Sequence, residues 1–295
     1  MATTSSQPKL LVIVGPTASG KSDLALTVAK RFAGEIISAD SLTVRQEISI
    51  GAAKPSPIVQ AQIPHHLLDV VKPCQEFTAA TFKRLATAAI AAIASQGKLP
   101  ILVGGSGLYI DSVLYNFKFL PPGPANERSQ LNSLSLAELQ EQISRRGIST
   151  EGIDIQNKRR LIRRLETGGA LPSRTKLRPN TSIFGLNPPA KQLKSKIEIR
   201  TRQMIEDGLE AEVRALVDKY GWTCAGLQAI GYREWRQYFE NRQTLAETES
   251  RIIKSTVALA KKQRTWFARH PEIEWFESSE KALAAISGKR KRKEN

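Results

Sequence analysis

The spacing of apolar positions changes several times along the chain, and each change predicts a different element. Four short, continuous apolar runs fall within the first 105 residues, at Leu10–Val14, 35–38, 67–71 and 100–103. Runs of that length without alternation suit strands buried on both faces, as in parallel sheets. Turn residues and then a helical pattern follow each one, which predicts βαβ units; the first such helix spans 22–32, where Leu24, Val28 and Phe32 share a side. Pro121, Pro122, Gly123 and Pro124 then break the pattern, and from there to about 181 it is helical, polar and basic. A further strand is predicted at 182–186, stopped by Pro188 and Pro189. Long helical patterns follow, with a last strand at 273–276. The expected architecture is an α/β core with a doubly wound parallel sheet, made of residues 1–120 and 183–295, around a small helical insertion at 121–182.

Composition adds little, but charge changes the picture. With 295 residues, 41% hydrophobic and 24% charged, the chain is ordinary globular protein rather than collagen-like or low-complexity. The 44 Lys and Arg against 28 Asp and Glu give a net charge of +16, which favours phosphate-bearing partners such as nucleic acid. Residues 1–120 hold 11 basic and 7 acidic side chains and residues 121–295 hold 33 and 21, so polyanion binding is expected mainly in the later part. Cys74 and Cys224, far apart in sequence, are expected to form neither a disulfide framework nor a zinc site, making a reducing compartment the default. Residues 1–9 lack the apolar core of a signal peptide, and the most apolar stretch, 85–94, is far short of a membrane span. A soluble cytoplasmic protein with a disordered basic tail at 289–293 is expected.

The first chemical signal is a phosphate loop. Gly15, Pro16, Thr17, Ala18, Ser19, Gly20, Lys21 and Ser22 match the P-loop pattern of two glycines, lysine and a hydroxyl residue, between a predicted strand and a predicted helix. Such a loop aims backbone N–H groups and a helix N-terminus at phosphate oxygens, with Lys21 adding a point charge and Ser22 able to hold Mg²⁺. The core is therefore expected to be P-loop NTPase-like.

Ligands of open parallel sheets bind outside the carboxyl ends of the strands. Residues after successive strands should then share one crevice: the loop at Gly15, the segment with Asp40 and Ser41, and the glycine-rich run of Gly104, Gly105, Ser106, Gly107, Leu108 and Tyr109. Asp40 is placed to act as a metal ligand or general base. His65 and His66, before an expected buried strand, are read as structural. Two basic helical faces stand out. Arg159, Arg160, Arg163 and Arg164 span an arc of about 140° opposite Leu161, Ile162 and Leu165. Arg251, Lys254, Lys261 and Lys262 fall within about 100° if 250–267 is one helix. Contacts of such faces to a nucleic acid should be largely to phosphates.

These residues together resemble the tRNA dimethylallyltransferases, or tRNA isopentenyltransferases, from about Leu10 to Phe267. The matching runs are GPTASGKS at Gly15, ISADS at Ile37, IGAAKP at Ile50, IPHHLLD at Ile63, PILVGGSGLYI at Pro100, NKRRLIRRLE at Asn157, LQAIGYRE at Leu227 and AKKQRTWF at Ala260. Eight such runs in the right order are specific, and without a Cys/His finger near the end the chain looks like the shorter bacterial form.

The resemblance implies transfer of a dimethylallyl group from dimethylallyl diphosphate to N6 of the adenine next to the anticodon of tRNA on its 3′ side. The P-loop residues and Arg200 would hold the diphosphate with Mg²⁺, and Asp40 would be the general base beside Thr17, Lys21 and Ser106. The tRNA anticodon stem-loop would meet Asp40, Ser41, Leu42, Thr43, Ser106, Arg128, Arg159, Arg160, Arg163, Arg164, Lys261 and Lys262, on a monomer. Most members carry Gln and Tyr where this chain has Thr43 and Arg45. Ala52, Arg202 and Val257 replace a usual Thr, Asp and Arg. These departures bear on adenine and anticodon-loop recognition. Alternatives are an enzyme that prenylates free adenine nucleotides, an ATP-dependent P-loop kinase, and an RNA-binding protein with a relic phosphate loop.

Overall fold

The computed structural model describes residues 7–121 and 123–294. Much of the stretch read for a signal peptide, and Pro122 of the proline cluster, lie outside the described residues. The chain forms two compact units, Met1–Leu114 with Leu177–Asn295, and Tyr115–Lys176. In the first unit β1 (Leu10–Val14), β2 (Gly34–Ala39), β3 (His65–His66), β4 (Leu99–Gly104), β5 (Thr181–Leu186) and β6 (Ile273–Phe276) form one sheet of order β3-β2-β4-β1-β5-β6. Each pairing in it is parallel.

The helices in chain order are α1 (Lys21–Arg31), α2 (Pro57–Gln62), α3 (Ala79–Ser95), α4 (Gly107–Leu114), α5 (Ala125–Ser133), α6 (Leu136–Arg145), α7 (Lys158–Glu166), α8 (Ala190–Glu206), α9 (Leu209–Tyr220), α10 (Arg236–Phe239), α11 (Leu245–Phe267) and α12 (Ser279–Glu294). Leu11 and Ile13 of β1 pack with Leu24 and Val28 of α1 and Ala282 and Ile286 of α12. Val12 and Val14, which point the other way, are also fully buried. Burial on both faces is why these strands read as unbroken apolar runs. A second cluster gathers Ile48, Leu209, Val213, Tyr232, Trp235 and Ile252.

The short third strand lies at His65–His66, two residues ahead of the apolar run at 67–71. Leu67 and Asp69 adopt left-handed backbone (φ 65° and 55°), which a strand cannot contain, and Val71 makes only an isolated bridge to Arg45. His66 Nε2 meets Glu35 Oε2 at 2.7 Å, and His65 Nδ1 meets the Ile63 carbonyl at 2.7 Å, so both histidines serve the sheet edge. Residues 289–293, expected as a disordered tail, continue the backbone of α12.

Cys74 and Cys224 are joined as a disulfide, against the expectation from their spacing. A sequence separation of 150 says nothing of distance in the fold. The 3₁₀ turn at Ala225–Gln228 docks on the loop after Val71, where the Gly226 N–H donates to the Pro73 carbonyl at 3.1 Å.

The second unit is three short helices around Leu139, Ile143, Leu161, Ile162 and Leu165. It begins and ends six residues earlier than 121–182. The Lys118 N–H donates to the Ser173 carbonyl and the Thr175 N–H to the Tyr115 carbonyl, both at 2.8 Å, which ties its two ends together.

Candidate active site

The loop from Gly15 to Ser22 turns tightly between β1 and α1. Gly15 has no room for a side chain: a β-carbon there would lie 2.7 Å from the Leu186 carbonyl oxygen and 2.8 Å from Ser19 Oγ. Gly20 ends the loop in left-handed backbone (φ 90°), and no side chain caps α1. The amides of its first turn, ahead of the Leu24 N–H bond to the Gly20 carbonyl at 3.1 Å, are therefore available to an anion. Ser19 is buried, and its Oγ has no hydrogen-bond partner. A phosphate oxygen in the curve of the loop would supply one.

Thr17, Ala18, Lys21, Asp40, Ser41, Leu42 and Arg200 line one cleft of about 320 Å³. Its remaining wall is largely apolar, with Ile197, Met204, Leu209, Ile252 and Leu259. Asp40 follows β2, and its Oδ1 accepts the Leu42 N–H at 2.8 Å, a local turn that fixes the carboxylate at the strand end. Burial pushes the Lys21 ammonium down to about 8; the Asp40 carboxylate opposes that fall and the Arg200 guanidinium adds to it. Burial likewise lowers Arg200, against the pull of Asp40 and Asp23. Two desolvated cations facing one carboxylate make a site short of negative charge, the electrostatic condition for binding a polyanion.

Several residues expected at the site take other positions. Ser106 does not line the cleft. It precedes α4, its N–H donating to the Ala39 carbonyl at 3.3 Å and its carbonyl accepting from Tyr109 and Ile110. The glycines beside it make room for α11: a β-carbon on Gly105 would meet Gln263 at 2.4 Å, and one on Gly107 would meet Trp266 at 2.2 Å. Thr43 is buried, with its hydroxyl 2.9 Å from that of Ser38. Ser22 is exposed in the first turn of α1. Lys261 and Lys262 are exposed on α11, which extends beyond the expected 250–267 to start at Leu245.

In the second unit the arginines of α7 divide. Arg159 and Arg160 are exposed. Arg163 bonds Glu166 and the carbonyls of Leu120 and Pro121. Arg128 bonds the same Glu166 at 2.9 Å. Arg164 is buried, spending its guanidinium on the carbonyls of Gly169 and Glu151. An arc counted at 100° per residue treats all four alike, yet Arg164 lies at its edge, where the helix is already covered by its own unit.

The departures at Arg45, Ala52, Arg202 and Val257 also have structural partners. Arg45 Nη1 donates to the carbonyls of Pro73 and Gln75 at 2.6 and 2.8 Å, and Arg202 pairs with Glu249 at 2.9 Å. Val257 packs against the cluster of Leu193, Ile197 and Ala260, and Ala52 lines the cleft.

Gln263 is the residue that sequence reasoning passed over. Its Oε1 accepts the Thr17 N–H at 2.8 Å, its Nε2 donates to the Gly105 carbonyl at 3.0 Å, and it lines the cleft. A family model described as IPP transferase matches residues 43–270, which carry the glycine-rich loop and the whole of α11. The chain belongs to the IPP transferase family. A tRNA dimethylallyltransferase of Anoxybacillus flavithermus is 38% identical over 287 residues, covering 93% of this chain and 92% of that one. One of Roseiflexus castenholzii is 40% identical over 285 residues, covering 90% and 91%. Among solved structures, a full-length tRNA isopentenylpyrophosphate transferase of Bacillus halodurans superposes with a TM-score of 0.74 at 34% identity, covering 97% and 98%. Among the described residues no helix is long and apolar enough to cross a membrane, and no cluster of three or more His, Cys, Asp or Glu could hold a metal by itself.

Proposed function

We propose that this protein transfers a dimethylallyl group from dimethylallyl diphosphate to N6 of the adenine on the 3′ side of a tRNA anticodon, releasing diphosphate. The observation that carries the proposal is the shared cleft of Lys21, Arg200 and Asp40, in a chain of this family. A donor diphosphate would lie in the loop against Lys21, Arg200 and the first amides of α1, with its dimethylallyl chain along the apolar wall. Adenine N6 is a weak nucleophile because its lone pair is delocalised, so the allylic C–O bond must loosen before the new C–N bond forms. Negative charge then grows on the diphosphate, where Lys21, Arg200 and the loop amides stabilise it more in the transition state than in the ground state. Asp40, fixed at the end of β2, accepts the N6 proton as the bond forms.

A Mg²⁺ ion would fit beside the loop, with Ser22 as the residue that would hold it. The Ser22 hydroxyl stands in the first turn of α1, and hard oxygen donors of this kind, completed by diphosphate oxygens, suit Mg²⁺. When bound, the ion would neutralise leaving-group charge. The exposed Arg159, Arg160, Lys261 and Lys262 would bind tRNA phosphates. A monomer is supported by a cleft built from one chain, and a cytoplasmic site of action rests on the tRNA substrate, with the Cys74–Cys224 bond the feature at odds with a reducing compartment.

Labelled dimethylallyl diphosphate offered in parallel to tRNA, AMP, ADP and ATP tests the assignment. Label in tRNA alone is expected. Label in a free nucleotide would indicate the nucleotide-prenylating alternative, and steady ADP release without donor would indicate a kinase.

A further inference from the structure

The peptide group between Pro16 and Thr17 is held from both sides. Its carbonyl oxygen accepts from Lys21 Nζ at 3.2 Å, and its N–H donates to Gln263 Oε1 at 2.8 Å. Because the group is planar and rigid, fixing the direction of the N–H also fixes that of the carbonyl. Gln263 is itself clamped, since its Nε2 is spent on the Gly105 carbonyl. Trp266, three residues further along α11, donates from Nε1 to Asp111 Oδ2 at 3.0 Å on α4. One side-chain amide thus joins the loops after β1 and β4 to the helix that carries Lys261 and Lys262.

We propose that Gln263 is a positioning residue of the diphosphate site: it holds the Pro16–Thr17 peptide so that its carbonyl stays turned to Lys21, keeping the ammonium at the loop. The proposal rests on the cleft being the donor site. The charged groups that face Lys21 are Asp40 at the end of β2 and Arg200 on α8. Asp40 favours the ammonium and Arg200 opposes it. Releasing the carbonyl removes one of the contacts that keep the ammonium at the loop.

The test titrates the full-length protein with inorganic diphosphate and Mg²⁺ by calorimetry at neutral pH. It compares wild type, Gln263→Met, Lys21→Ala and the double variant Gln263→Met with Lys21→Ala, with tRNA affinity and melting temperature as parallel readouts. Gln263→Met is expected to weaken diphosphate binding about tenfold, the size of one oriented hydrogen bond, while tRNA affinity changes little. In the Lys21→Ala background the same substitution should change diphosphate affinity by less than about threefold, because the contact it protects is already gone. A purely structural glutamine would cost the same in both backgrounds. An equal cost in both would overturn the role of Gln263, as would equal losses of diphosphate binding, tRNA binding and melting temperature. Wild-type diphosphate affinity in Lys21→Ala would instead overturn the donor site, and this proposal with it.

Discussion

Arg163 donates to Glu166 Oε2 at 3.1 Å one turn further along α7, onto a carboxylate with no solvent exposure in its side chain. Arg128 reaches the other oxygen of the same group at 2.9 Å. A buried carboxylate held by two arginines is a structural feature of the helical unit, so the basic face there has to be tested one residue at a time. Arg163→Glu should place two carboxylates together and destabilise the unit by about 1 to 3 kcal/mol, read as a lower melting temperature.

Arg159 and Arg160 behave differently because they are exposed. Reversing both to Glu should change stability by less than about 0.5 kcal/mol. It should weaken tRNA binding and flatten the slope of log affinity against log salt, since fewer counterions are released. Filter binding over a salt series measures this, and an unchanged slope would remove these residues from the RNA interface.

Asp40→Asn keeps the size of the side chain and the acceptor for the Leu42 N–H but loses the proton acceptor. Single-turnover transfer with saturating tRNA and donor should slow by about 10² to 10⁴, with both affinities nearly unchanged. A wild-type rate would show that the N6 proton leaves by another route.

The lowered pKa of Lys21 sets a pH dependence. Its folded value of about 8 lies below the ordinary 10.5, so between those values the unfolded chain holds a proton that the folded chain has released. Stability of the unliganded protein should therefore rise with pH across that window. Bound diphosphate favours the ammonium, which gives the opposite trend for donor affinity: full below about 8 and falling as the pH rises past it. Donor binding near pH 8.5 should take up protons, seen as a calorimetric enthalpy that varies with the ionisation enthalpy of the buffer; Lys21→Arg should abolish the uptake.

The Cys74–Cys224 bond closes a loop of 150 residues, so reduction should lower stability by about 2 to 4 kcal/mol. Thermal melts with and without dithiothreitol check this. Cys74→Ser should melt at the same temperature in both conditions.

Much of the molecule was legible in the order of residues. The strands at Leu10–Val14 and Leu99–Gly104 showed as unbroken apolar runs because parallel strands are buried on both faces, and their loops converge by the topology of such sheets. The placement of Gly15 to Ser22 and Asp40 was legible because each stands directly after a strand. Tertiary structure alone decided what packing across the fold controls. It bent the chain into left-handed backbone at Leu67 and Asp69, and brought Cys74 to Cys224. It buried Arg164 while leaving Arg160 in solvent, although both belong to one basic run. It also set Gln263 against Thr17 across 246 positions, and put Gly105 and Gly107 where they give clearance to Gln263 and Trp266 of α11. A periodicity records which face of an element is apolar; which partner meets that face is fixed only when distant segments compete for the same space.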